Sequence, residues 1–213
     1  LFCVHAGFGT VFDYEPLARS LDGQRQVLAI QSRMLLDPVW SDESLLAMAQ
    51  DYVGYVRERQ PLGPYWLAGW SLGATLAALM AAELELQGQQ VAFLGMLDGF
   101  VPGAEPVARA EAQEQPRQLP AGLSTEDLAL GLATGRHLRG LSSALTACAP
   151  VQARAHCWWV HGREAEAQAL YQQLGQGPAA SVWLDCGHYE VPHHRQVLDA
   201  LLQLLDAPVT SLS

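Results

Sequence analysis

Three residues suited to acyl transfer stand far apart in this chain. Ser71 lies at the centre of Gly69-Trp70-Ser71-Leu72-Gly73, a G-x-S-x-G pentapeptide. That spacing suits a sharp, strained turn on which a serine hydroxyl projects from the end of a strand. The two glycines keep the following helix and the neighbouring strands clear of the turn. A serine hydroxyl is a poor nucleophile until a base takes its proton, and the base needs an acid to orient it. His188, in Asp185-Cys186-Gly187-His188, is the candidate base, and Asp98, closing the apolar run Val91–Leu97, the candidate acid. Ser, then Asp, then His is the chain order that accompanies such an elbow.

The plain alternative for the pentapeptide is a tight turn without function, and the base and acid have rivals. His161 also follows a strand-like run, and a histidine there serves equally as a hydrogen-bonded structural residue. Glu164 and Glu166 occupy the turn after the next strand and compete for the acid, while in a plainer reading Asp98 only caps the exit of its strand. A carboxylate buried without purpose at the end of so apolar a strand is costly, which favours Asp98. The tetrahedral intermediate needs two N–H donors. Leu72 supplies one at the N-terminus of the elbow helix, where the helix dipole assists. The other comes from His5-Ala6-Gly7-Phe8-Gly9, with Gly7 preferred because the bare backbone allows close approach, Ala6 second, and an ordinary glycine turn as the plain alternative. Cys186, His188, Glu190, His193 and His194 raise the question of zinc. Their spacing matches no zinc pattern and Pro192 interrupts it, so no metal is expected. His193 and His194 read as solvated residues at the start of the last helix.

Positioning these residues requires a particular set of elements. Short apolar runs alternate with helical patterns, the signature of a parallel sheet covered on both faces. Strands are expected at Leu1–Val4, Gln26–Ile30, Tyr65–Ala68, Val91–Leu97, His156–Val160 and Ser181–Leu184. Helices are expected at about Phe12–Leu21, Ser44–Gln60, Leu72–Leu86, Glu164–Leu174 and His193–Leu205, with Pro61 stopping the second and Gly88 capping the third. The third is apolar nearly all round and therefore deeply buried. In open parallel sheets, functional groups gather beyond the strands' carboxyl ends. Ser71, Asp98, His188 and the His5–Gly9 turn each meet that rule independently.

Gly99–Pro150 is the irregular part. Pro102–Gly122 holds four of the 12 prolines, Ser124–Leu132 and Gly140–Ala147 suggest two short helices, and Phe100 is its only aromatic residue. So few large apolar anchors suggest a mobile lid over the sheet's C-terminal edge. The 213 residues exceed one domain of about 150 residues by roughly half. The lid absorbs most of that surplus, leaving a single domain, 1–213, with a lid insertion at about 99–150.

Composition excludes other classes of function. Half the residues are hydrophobic and the net charge is −10, with all 12 basic residues arginine and no lysine. A polybasic nucleic-acid or membrane surface is therefore not expected, and Schiff-base and P-loop chemistry lack their lysine. The longest weakly polar stretch, Leu72–Ala82, is too short to span a bilayer, and no signal peptide is visible. Opening inside an apolar run without Met suggests a piece cut from a longer polypeptide. Cys3, Cys148, Cys157 and Cys186, with no C-x-x-C pair, read as buried free thiols in a reducing compartment, and the cytoplasm is the expected location.

The stretches L-F-C-V-H-A-G-F-G at the start, G-P-Y-W-L-A-G-W-S-L-G-A (Gly63–Ala74), Q-V-A-F-L-G-M-L-D (Gln90–Asp98) and D-C-G-H (Asp185–His188) resemble the thioesterase domain that ends nonribosomal peptide synthetases. The resemblance covers essentially the whole chain. It implies an α/β-hydrolase fold, a mostly parallel central sheet with helices on both faces and an inserted lid. It also implies an acid on the strand after the nucleophile, which favours Asp98 over Glu164. Stand-alone editing thioesterases usually keep the acid one strand later and carry His or another residue at the Trp70 position. Two features depart from the family pattern: His5-Ala6 stands where His-Pro is frequent, so Ala6 retains an N–H, and the lid is shorter. Terminal domains of pseudomonad siderophore synthetases, of the pyoverdine type, resemble the chain most.

The resemblance implies release of a finished peptide from the phosphopantetheine arm of an upstream peptidyl carrier domain of the same polypeptide. An acyl-Ser71 ester would be resolved by water or by a nucleophile of the peptide itself. No cofactor of the domain's own, no nucleic acid and no membrane are implied. The alternatives are an editing thioesterase or lipase-like esterase of the same fold, and a catalytically silent hydrolase fold used for binding. A broken triad would favour the last, and here all three residues are present.

Overall fold

A computed structural model describes residues 1–37, 39–102 and 124–206. Six strands form one parallel sheet: β1 (Phe2–Val4), β2 (Leu28–Ile30), β3 (Tyr65–Trp70), β4 (Val91–Leu97), β5 (Ala155–Val160) and β6 (Ala180–Leu184). Their spatial order is β2-β1-β3-β4-β5-β6, with every neighbouring pair parallel. The chain runs outward from β1 to β2 and then crosses back to β3. The winding direction thus reverses between β1 and β3, where their C-terminal ends leave a crevice.

Alternation along β3 shows how the sheet buries both faces. Tyr65 and Leu67 join one core, together with Val4, Leu94, Met96, Cys157 and Trp159. Trp66, Ala68 and Trp70 join the other, with Cys3, Phe93, Leu97, Trp158 and Leu184. The first core is covered by α2 (Leu45–Arg59), α3 (Leu72–Leu86) and α5 (Glu164–Gln173), the second by α1 (Glu15–Ser20) and α6 (Arg195–Asp206). This period of two, with apolar residues on both faces, produces the continuous apolar runs seen in the sequence. α3 is buried almost all round, as its composition requires, and Gly88 follows it with a φ of 72°. α2 starts at Ser44, whose hydroxyl accepts the amide of Ala47. Cys3, Cys148 and Cys157 are buried free thiols, and burial pushes each up to about 12. Cys186 is half-buried rather than buried.

The structure corrects three local expectations. The segment expected to be one helix at Phe12–Leu21 begins as a 3₁₀ turn, Phe12–Tyr14, before α1. The last helix starts at Arg195, because another 3₁₀ turn, His188–His193, precedes it. Two short helices in the insertion are instead one continuous helix, α4 (Thr125–Ala144). Gly131, Gly135 and Gly140 lie within it. A capping box between Ser124 and Asp127 starts the helix, and Thr134, Gly135, Leu138 and Ser142 bury one stripe of it. Tertiary packing here outweighs the helical cost of glycine, about 1 kcal/mol each. α4 lies over the loop that follows β1. A methyl group added at Gly9 would meet the Thr134 side chain, and one at Gly135 the Phe8 ring, while His137 Nε2 donates to the Asp42 carbonyl at 2.8 Å. Most of the proline-rich stretch Pro102–Gly122 lies outside the described residues.

Candidate active site

The turn between β3 and α3 carries Ser71 in a conformation that side-chain-bearing residues rarely adopt, φ 56° and ψ −123°. Such a conformation costs about 1–3 kcal/mol and persists only where its surroundings enforce it. Here the Ser71 amide donates to Leu97 O at 2.9 Å, and the Ser71 carbonyl accepts from Ala74 and Phe100. The two glycines of the pentapeptide are required sterically. A Cβ on Gly69 would collide with the Gly73 carbonyl, and one on Gly73 with the carbonyls of Val4 and His5.

Asp98 leaves β4 with a φ of 42° and a fully buried side chain. Its Oδ2 accepts His188 Nδ1–H at 2.5 Å, and its Oδ1 accepts the Val160 amide at 3.2 Å. The structure therefore joins two of the residues chosen from the sequence, 90 positions apart. An Nδ1–H given to the carboxylate leaves Nε2 of a neutral imidazole free to accept a proton. Trp70, directly before Ser71, fixes the ring beside the elbow. Its indole Nε1–H donates to the His188 carbonyl at 3.1 Å, and the two rings lie 5.1 Å apart. Among the described residues no hydrogen bond joins Ser71 Oγ to His188, a contact that often tightens only when substrate binds.

The competing residues lie elsewhere. His161 is exposed and stacks on Trp183 at 6.2 Å, and Glu164 is exposed and accepts the Gly162 amide. Glu166 faces Arg163 at 3.6 Å. His193 is exposed as expected, whereas His194 is half-buried with a buried Nδ1 that has no partner among the described residues. Among the described residues no group of three or more His, Cys, Asp or Glu side chains is placed to hold a metal ion.

The loop after β1 is held by His5, whose importance the sequence did not reveal. His5 is fully buried. Its Nδ1–H donates to Ala6 O at 2.7 Å, so its Nε2 accepts the Tyr52 hydroxyl at 2.7 Å. Burial pushes this imidazole down to about 4. The Ala6 carbonyl also accepts the Gly9 amide at 2.9 Å. In a trans peptide C=O and N–H point in opposite directions. Anchoring the Ala6 carbonyl inside the loop therefore turns the Gly7 N–H outward. The His5 carbonyl lies against Gly73, which turns the Ala6 N–H away from the elbow. A second fixture is Tyr14, whose hydroxyl donates to Val4 O at 2.6 Å and accepts the Trp70 amide at 2.8 Å.

Comparison with known proteins agrees with this architecture. The family model described as thioesterase domain matches residues 1–147. Enterobactin synthase component F of Escherichia coli (strain K12) is 39% identical over 112 residues, a match covering 53% of this chain and 9% of that protein. Among solved structures, the NocB thioesterase domain in covalent complex with a fluorophosphonate nocardicin G analogue superimposes with a TM-score of 0.79 at 22% identity. That match covers 97% of this chain and 94% of that one. The SrfTE thioesterase domain, described for cyclization of the lipopeptide surfactin, gives 0.76 at 19% identity over 97% and 91% of the two chains. These neighbours share the α/β-hydrolase fold, with its parallel sheet flanked by helices. With a buried Asp–His pair beside a strained elbow and a family match over residues 1–147, this chain belongs to the thioesterase domain family.

Proposed function

We propose that this domain releases a completed peptide from a carrier domain of a nonribosomal peptide synthetase, through an ester on Ser71. The observation that carries the reading is the Asp98–His188 hydrogen bond next to a serine held at φ 56°. His188 Nε2 takes the Ser71 hydroxyl proton as Oγ attacks the thioester carbonyl. The oxyanion is met by the amides of Leu72 and Gly7. Two facts support Gly7 over Ala6: its N–H is turned outward by the anchored Ala6 carbonyl, and the Ala6 N–H is turned from the elbow. The carbon–sulfur bond then breaks, and the phosphopantetheine thiol leaves with the proton from His188. Water, or an amine or hydroxyl of the same peptide, attacks the ester with His188 again as base, and Ser71 regains its proton.

The position of Asp98 at the end of β4, not one strand later, supports a chain-releasing enzyme over an editing one. The upstream carrier domain of the same polypeptide is the partner, and a tethered carrier at about millimolar effective concentration needs no tight docking surface. Residues 1–213 form one domain with a lid at about 99–150, acting in the cytoplasm without a cofactor of its own. No helix among the described residues is long and apolar enough to cross a membrane. The motif resemblance favours a siderophore of the pyoverdine type as the peptide.

The test is intact-mass measurement after exposure to a short peptidyl thioester of a pantetheine-like thiol. Wild type should turn over and show an acyl adduct on Ser71, and Ser71→Ala should do neither. His188→Ala and Asp98→Asn should abolish turnover, and His161→Ala and Glu164→Ala should leave it within about twofold, since neither residue touches the pair. If wild type and Ser71→Ala behave alike, the reading fails. The product mass separates linear acid from macrocycle.

A further inference from the structure

Asp98 has more partners than orienting an imidazole requires. While Oδ2 serves His188, Oδ1 also lies 2.9 Å from Nη1 of Arg163. The same Nη1 donates to the Asp98 backbone carbonyl at 3.3 Å, and Nη2 donates to Gly99 O at 3.0 Å. One guanidinium thus serves the carboxylate and two consecutive carbonyls of a turn whose first residue holds φ 42°. Arg163 is itself restrained: its side chain is four-fifths buried, its guanidinium lies 5.2 Å over the Trp159 ring, and Glu166 lies 3.6 Å from its Nε. It comes from the turn after β5, the turn whose glutamates competed for the role of acid. That turn presents a cation to the acid instead.

We propose that Arg163 is a positioning residue for acyl transfer, clamping Asp98 and the left-handed turn at Asp98–Gly99 so that Oδ2 alone is presented to His188. The proposal rests on the reading of Asp98 and His188 as acid and base. The physical grounds are twofold. A fully buried carboxylate is costly unless both oxygens are satisfied, and the Val160 amide alone supplies Oδ1 with a single neutral donor. A carboxylate free to rotate would also misalign the imidazole, and errors of about 1 Å can cost 100-fold in rate. The planar fork of arginine reaches all three acceptors at once, which the single ammonium of lysine cannot. The same clamp fixes Gly99, the first residue of the expected lid insertion, so the root of the insertion and the acid share one anchor.

The experiment is single-turnover acylation of the folded domain by the peptidyl thioester, monitored by intact mass, with KM measured separately. Arg163→Ala should acylate about 10- to 100-fold more slowly with KM within about twofold. Millimolar guanidinium should restore part of the lost rate, while the same concentration of sodium should not. Arg163→Lys keeps the charge, so it preserves the fold even if the alanine variant does not. It should lose rate at unchanged KM and gain nothing from guanidinium. Wild-type acylation by Arg163→Lys, or a folded Arg163→Ala that guanidinium does not restore, overturns the proposal. Asp98→Asn, run in parallel, separates the two readings. If it acylates normally, the acid assignment is wrong; if it is inactive while Arg163→Lys acylates as wild type, only the role of Arg163 is lost.

Discussion

One phenolic oxygen, that of Tyr14, joins the ends of two strands at the crevice. It donates to the Val4 carbonyl and accepts the amide of Trp70, the residue before Ser71. Tyr14→Phe removes both bonds from a buried site, at a cost of about 1–3 kcal/mol in stability. Because Trp70 also holds the His188 carbonyl, acylation should slow together with the loss in urea midpoint. A variant as stable and as fast as wild type would show that the oxygen does not support the elbow. Ser71 could be chosen from the sequence because glycine spacing encodes its turn locally. Tyr14 and Arg163 could not, because Trp70 and Asp98, which they hold, lie 56 and 65 residues away and no local pattern records that pairing. The Arg163 acylation series is the direct test at this scale.

Among the elements, α4 differs most from its expected form. Its glycines are not equivalent. Methyl groups at Gly131 and Gly140 would meet nothing within 4 Å. Gly131→Ala and Gly140→Ala should therefore each stabilise the fold by about 0.5–1 kcal/mol, or about 1–4 °C in melting temperature. At Gly9 the opposite holds: φ is 79°, and a Cβ would lie 2.8 Å from that of Ser32 and 2.9 Å from the Thr134 methyl. Gly9→Ala should lower the melting temperature and slow acylation, because α4 rests on the same loop that carries Gly7. Differential scanning calorimetry on the three variants checks both signs. The strands were legible in the sequence to within two residues at each end, since alternating burial on two faces leaves apolar runs of strand length. The insertion was not, because its helix is stabilised by residues of the β1 loop and by the Asp42 carbonyl, contacts distant in the sequence.

At the scale of the whole molecule, one buried histidine, His5, and one half-buried histidine, His156, tie stability to pH. Burial pushes His5 down from 6.5 to about 4, and burial, followed by the charge of Arg154, lowers His156. Below pH 6.5 the unfolded chain binds a proton that native His5 refuses until about pH 4, so stability falls as pH falls through that window. Between pH 7 and 5 the His5 contribution amounts to about 2 kcal/mol. Urea melts at the two pH values should show this loss in wild type and a correspondingly smaller loss in His5→Gln. An equal loss in the variant would mean that His5 is charged in the native state.

Local sequence accounts for the glycine-flanked turn at Ser71, the chain order Ser71, Asp98, His188, and the alternation of strands and helices. Each of these is written in short-range spacing: glycines around a serine, apolar runs of strand length, apolar residues at helical period. Folding sets which carboxylate meets which imidazole, which way the amides of the β1 loop point, and that a cation backs Asp98. Those outcomes depend on strand order and on side chains brought from 47 to 90 residues away. Local spacing cannot encode them, since they exist only once the parallel sheet has gathered its C-terminal ends at one edge.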